Sequence, residues 1–169
     1  MATSPHAICV CVADGNSHEL CWGANGFEEN DIRAHLMPLR AVAIEAIAFD
    51  GCFVYDQNKL RCDGLMLLRR PSQAHLLLVE LKNTRNAEHG FQQLIHTAHH
   101  RSDYQAIHAH EERQAPGPLK EQAFLVTTKE IPLVQRARAE RQANGLKITV
   151  IHVQRGTGAV PNLRDHLTS

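Results

Sequence analysis

Three ionisable residues interrupt what otherwise reads as core. The stretch "CDGLMLLRRPSQAHLLLVELKN", residues 62–83, holds two apolar runs; Asp63 opens the first, and Glu80 and Lys82 sit near the end of the second. Alternation along a strand puts Glu80 and Lys82 on one face, with Leu77, Val79 and Leu81 turned the other way into a core. If the runs pair through a turn at Pro71 and Ser72, residues equidistant from its centre oppose each other, and Asp63 meets Glu80. Two carboxylates so placed repel, and burying them unpaired is costly. A hard divalent cation such as Mg²⁺ removes that conflict, because it takes oxygen ligands. Lys82 beside the pair can orient a water, lower its pKa, or stabilise charge on a phosphorane-like transition state. Such a set suits metal-assisted hydrolysis of phosphodiesters. The bland alternative is a surface-facing strand end with a salt bridge, which yields the same Glu-x-Lys spacing. For Asp63 it is an ordinary strand-entry aspartate.

These residues need elements to hold them. Residues 6–13, "HAICVCVA", predict a strand followed by turn residues. Residues 28–51 predict a helix, with Ile32, Leu36, Leu39, Ala43 and Ile47 at spacings of three and four and Gly51 at its end. "CFVYD" and the two runs above predict three consecutive strands. From Asn86 the period changes: Phe91, Leu94, Ile95 and Ala98 form a helical stripe. Residues 108–120, with Pro-Gly-Pro, read as a loop; then follow a buried strand "QAFLVTT", a helix over 130–145 ended by Gly145, and a last strand "LKITVIHV". The order predicts a single α/β domain whose mixed central sheet is flanked by helices, a meander first and crossovers later.

Asp63 followed by "VELK" resembles the signature of the PD-(D/E)xK phosphodiesterases, the restriction-endonuclease-like superfamily. The resemblance implies a core of helix, three-strand meander, helix and strand over about 31–153, with 1–30 an N-terminal extension and 154–169 an irregular tail. It implies a metal-dependent nuclease in which Asp63, Glu80 and the Leu81 backbone carbonyl hold Mg²⁺ or Mn²⁺ while Lys82 positions or activates water. Glu45, alone in the apolar run "AVAIEAIAF", would be the additional acid from the first core helix. In branches similar to the RecB nucleases and archaeal-type resolvases, the helix after the lysine strand adds a glutamine. "QLIHT" places Gln93 there, with Gln92 as the alternative. Thr97 stands where those branches often have tyrosine, and Cys62 where a proline often precedes the aspartate. DNA is implied ahead of RNA, with a homodimer or a targeting partner protein supplying what so small a domain lacks. The rival reading is a non-catalytic nucleic-acid-binding or assembly module that keeps the fold.

Composition sets the outer limits. The chain has 169 residues, enough for one core. Lys+Arg and Asp+Glu balance at 18 each, so only local charge points to nucleic acid: Arg61, Arg69, Arg70 and Arg85 gather around the acidic pair, and Arg136, Arg138 and Arg141 lie along a predicted helix. No run approaches the roughly 18 apolar residues of a membrane span, and no secretory signal is legible, so the expectation is a cytoplasmic protein without membrane contact. The five cysteines show no C-x-x-C pair and are expected as reduced, buried thiols. His96 and His99 share a helical face that could bind a metal. Phosphate loops, serine elbows and dinucleotide fingerprints are absent from the sequence.

Overall fold

A computed structural model describes residues 7–13, 18–52, 60–83 and 87–168. Its centre is a five-stranded sheet in the order β3 (Ala43–Ala48), β4 (Gly64–Arg70), β5 (Gln73–Lys82), β6 (Leu119–Thr127) and β7 (Ile148–His152). The first three strands form an antiparallel meander, and β6 and β7 join parallel to β5. Connecting β5 to β6 are helices α1 (Ala87–His100) and α2 (Ser102–Gln114), while α3 (Leu133–Gln142) links β6 to β7. A two-stranded hairpin of β1 (Gly26–Glu29) and β2 (Ile32–His35) precedes the sheet. The molecule is thus a single α/β domain.

The middle strands are apolar on both faces because both are covered. Leu65, Leu67, Leu76, Leu78 and Leu125 pack with Phe91, Leu94 and Ala139 of the helices. Met66, Leu68, Leu77, Val79 and Phe124 pack instead with Phe27, Ile32 and Ala34 of the hairpin. Glu80 and Lys82 fall in the alternation that faces the helices. Gly64 makes the hairpin's approach possible: a Cβ there would lie 2.4 Å from Phe27 Cζ.

Several predicted elements are corrected. Residues 28–51 are no helix; they supply the end of β1, then β2 and β3. Asn30 and Asp31, at φ 49° and 64°, make a two-residue turn of the mirror-image type that suits twisted strands, and Ile44 and Ala46 pair with β4. The meander therefore begins at β3, with no α-helix before it among the described residues. "CFVYD" falls mostly on 53–59, outside those residues. In place of a strand over 6–13 there is a short 3₁₀ turn, Ala7–Cys9, and one bridge from Val10 to Ile47. The loop expected over 108–120 is helical as far as Gln114, because Tyr104, Ile107 and Glu111 give α2 a buried face. Four cysteines expected as thiols are paired, Cys9 with Cys52 and Cys11 with Cys21; Cys62 alone is free. Spacing along the chain could not show this, since the fold brings the partners together. Among the described residues, no helix is long and apolar enough to cross a membrane.

Candidate functional site

The β4–β5 register carries Asp63 to Glu80. Arg70 pairs with Gln73 across Pro71–Ser72, and the ladder runs back to Gly64 opposite Val79. One step further, the Asp63 amide donates to Glu80 Oε2 at 3.0 Å, and the Leu81 amide donates to Asp63 Oδ2 at 2.7 Å. Each carboxylate is thus held by the backbone of the other's strand. Asp63 is 4% exposed and Glu80 fully buried. Lys82 Nζ lies 2.6 Å from Glu80 Oε1, a close ion pair that meets this buried oxygen from its own strand. Gly90 of α1 admits the two side chains: a Cβ there would stand 3.2 Å from Lys82 Cγ and 3.6 Å from Glu80 Cγ.

Two acids that the sequence reading missed complete the electrostatics. Glu29, at the end of β1, and Asp50, just past β3, both act on Asp63. Burial, followed by the charge of Glu29, pushes the Asp63 carboxyl up to about 7, the Leu81 hydrogen bond and Lys82 opposing. Burial and then Asp63 push Glu80 well above the usual carboxylate range. Burial likewise raises Glu29. At Lys82 burial favours the neutral amine, but Glu80, Asp63 and Glu29 outweigh it and raise the ammonium. A cavity of about 400 Å³ opens alongside, lined by His18, Glu19, Glu28, Glu29, Asn30 and Asp50. No local spacing relates Glu29 or Asp50 to Asp63; only the turn at Asn30–Asp31 hinted that Glu29 ends a strand.

The other predicted residues divide. Gln93 is at the site's back wall: its Nε2 donates to the Arg61 carbonyl at 2.9 Å, and its Oε1 is buried without a partner. Gln92 is exposed, so Gln93 is the inward glutamine. Thr97 accepts from the Cys62 amide at 2.8 Å and donates to the Gln93 carbonyl at 2.7 Å, fastening α1 to the residue before Asp63. Glu45 is not brought in. It sits on β3 opposite Leu67, roughly 13 Å along β4 from Asp63 at strand rise, with Arg69 Nη1 at 3.0 Å. Arg69 also grips the buried Glu111 at 2.9 Å, and Arg70 lies beside the hairpin turn, so both are at the wrong end of the strand. Arg61 is close, but its Nε is 2.5 Å from Asp50 Oδ1. Arg85 falls outside the described residues. His99 Nε2 contacts the Ala143 carbonyl at 2.6 Å and does not converge with His96 on a metal. Burial, with Glu80 and Asp63 adding to it, drives the Cys62 thiol well up, which disfavours thiol catalysis.

Among the described residues, no three His, Cys, Asp or Glu side chains converge as a ready-made metal cage. The donor set still fits one kind of ion. Mg²⁺ is commonly held by one or two carboxylates, with water and substrate phosphate completing its shell. Asp63 and Glu80 could supply such a pair, with Glu80 Oε1 now facing the Lys82 ammonium. At Leu81 it is the amide that Asp63 engages. No protein-family model, curated protein or solved structure significantly matches this chain.

Proposed function

We propose that the chain is a metal-dependent phosphodiesterase of the PD-(D/E)xK type, a nuclease acting on DNA ahead of RNA. One observation carries the reading: two buried carboxylates meet across adjacent strands with a lysine ammonium on the same strand face. The meander, helix and parallel strand of β3–β4–β5–α1–β6 support part of such a core, without its leading α-helix among the described residues. Asp63 and Glu80 would hold Mg²⁺ or Mn²⁺, which when bound offsets charge on the phosphate and acidifies water. Lys82 keeps 18% of its side chain exposed beside Glu80, so its ammonium would be open to a water or to a phosphate on which charge builds. Glu29, whose charge acts on Asp63, would be the further acid of the site in place of Glu45.

Substrate contact shifts in the same way. A second cavity, about 370 Å³, shares Asn30 with the acidic one and is lined by Arg33, Asp31, Thr128, Arg155 and Gly156 among others. Arg33 is engaged by Glu28, which leaves Arg155 as the cation best placed for a phosphate. The paired cysteines fit maturation in an oxidising compartment better than the cytoplasm.

The test is cleavage of circular duplex DNA, circular single-stranded DNA and an RNA transcript, each with Mg²⁺, Mn²⁺ or chelator. Metal-dependent cutting of either circle supports the reading and makes the enzyme an endonuclease. No cutting of any of them would transfer the weight to a non-catalytic nucleic-acid-binding or assembly module.

A further inference from the structure

We propose that the Cys9–Cys52 disulfide is a redox switch that tightens or slackens the acidic site through Asp50. The bridge fastens the turn after β3 to the 7–9 segment, itself tied to β3 by the Val10–Ile47 bridge and by a 2.7 Å hydrogen bond from the Cys11 amide to the Ala46 carbonyl. Two residues before Cys52, Asp50 braces the site in two ways. The amides of Phe49 and Asp50 both donate to the Asp63 carbonyl, at 3.1 and 2.9 Å, and the Asp50 carboxylate holds Arg61, whose own carbonyl accepts from Gln93. Bridge, Asp50 and Asp63 form one mechanical line.

The two disulfides are unequally open to exchange. Cys11 and Cys21 are 3% and 6% exposed, whereas Cys52 is only half-buried and its partner Cys9 fully buried. Cys52 is thus the most open residue of the four, and attack by a solvent thiolate is expected at its side of the bridge. With a dithiol reductant, the attacking thiolate bonds to Cys52 Sγ, the S–S bond breaks, and its electron pair leaves on Cys9 Sγ, which takes a proton. The second thiol of the reductant displaces the Cys52 thiol from the mixed disulfide and emerges with the reductant oxidised. Two electrons and two protons pass to the protein. A chain made in a reducing environment would hold its site slack, and transfer to an oxidising one would close it.

That the slackening governs catalysis rests on the nuclease reading; the mechanical coupling does not. The experiment therefore reads both. Amide hydrogen exchange at Phe49 and Asp50 is measured in the native protein with and without dithiothreitol, with Leu78 in the sheet centre as reference. Reduction should speed both amides by roughly tenfold or more beyond whatever change is seen at Leu78, which follows the loss of global stability. The Cys9→Ser/Cys52→Ser variant should exchange fast in either buffer, while Cys11→Ser/Cys21→Ser should keep the response. Metal-dependent cleavage should fall on the order of 10- to 100-fold on reduction, as displaced catalytic groups do. Faster exchange in a protein that cuts nothing would support the switch while sinking the nuclease reading. Exchange at Phe49 and Asp50 indifferent to dithiothreitol, or a response lost with Cys11–Cys21, would overturn the proposal. So would cleavage that is unchanged once the bridge is reduced.

Discussion

Asp63 and Glu80 meet across the β4–β5 hairpin, the amide of the first donating to the carboxylate of the second at 3.0 Å, with almost no solvent at either side chain. Structural ion pairs seldom look like this. Burying two like charges is unfavourable unless a proton or a cation lies between them, and Lys82 supplies a single positive charge to an array that also includes Glu29. The arrangement is a site under tension, and its tension can be measured.

Stability should depend on pH in an unusual direction. The Asp63 carboxyl is raised from 3.8 to about 7, and Glu80 is raised as well. A carboxyl raised by folding contributes stability that is complete below its unfolded value and is lost as pH climbs through its folded one. In chelator, Tm should therefore fall between pH 3.8 and about 7, with roughly 4 kcal/mol as the upper limit from Asp63. Mg²⁺ or Mn²⁺ should restore stability above that window and do little below it. Thermal melts in the two buffers check this; a metal-free Tm that rises across the window would contradict it.

Glu29 should act on Asp63 through space. Its charge is the second cause, after burial, of the raised Asp63 carboxyl. Glu29→Gln should lower the pH at which Asp63 titrates, followed by the NMR shift of its side-chain carbonyl carbon. An unmoved titration would remove Glu29 from the site.

Packing at the mouth of β4 leaves no room for a methyl group. Gly64→Ala should cost about 1–3 kcal/mol by pushing the Phe27 ring away. Adding Phe27→Leu should recover part of that loss, because the ring is what the new Cβ strikes. Urea unfolding of the single and double variants gives the coupling directly, and strictly additive losses would contradict the contact.

The two disulfides should differ in worth. They span 43 and 10 positions, and loop-closure entropy assigns about 4 kcal/mol to Cys9–Cys52 and about 3 kcal/mol to Cys11–Cys21. Denaturant midpoints of the two double-serine variants test the order.

The site's heart was legible because its information is local. A Pro-Ser turn between two apolar runs sets the register, and register alone brings Asp63 to Glu80. The stretch from 28 to 51 misled for the opposite reason. Its Ile, Leu and Ala residues satisfy a helical period, while the pairing that overrides it, such as Glu45 against Leu67, comes from residues about twenty positions away. Glu45 was therefore assigned to a helix it does not occupy. The acid beside the pair is Glu29, which no spacing rule connects to Asp63. Cysteine pairing is likewise a property of the assembled fold, since connectivity cannot be deduced from spacing.

The most direct test of the central claim is single-turnover cleavage of circular DNA by the native chain, Glu80→Gln and Lys82→Ala, with Mn²⁺ and with chelator. Metal-dependent cutting by the native protein is expected, with a fall of roughly 10²–10⁴-fold in each variant and far-UV circular dichroism unchanged. Cutting that survives both substitutions, or that ignores the chelator, would contradict the claim.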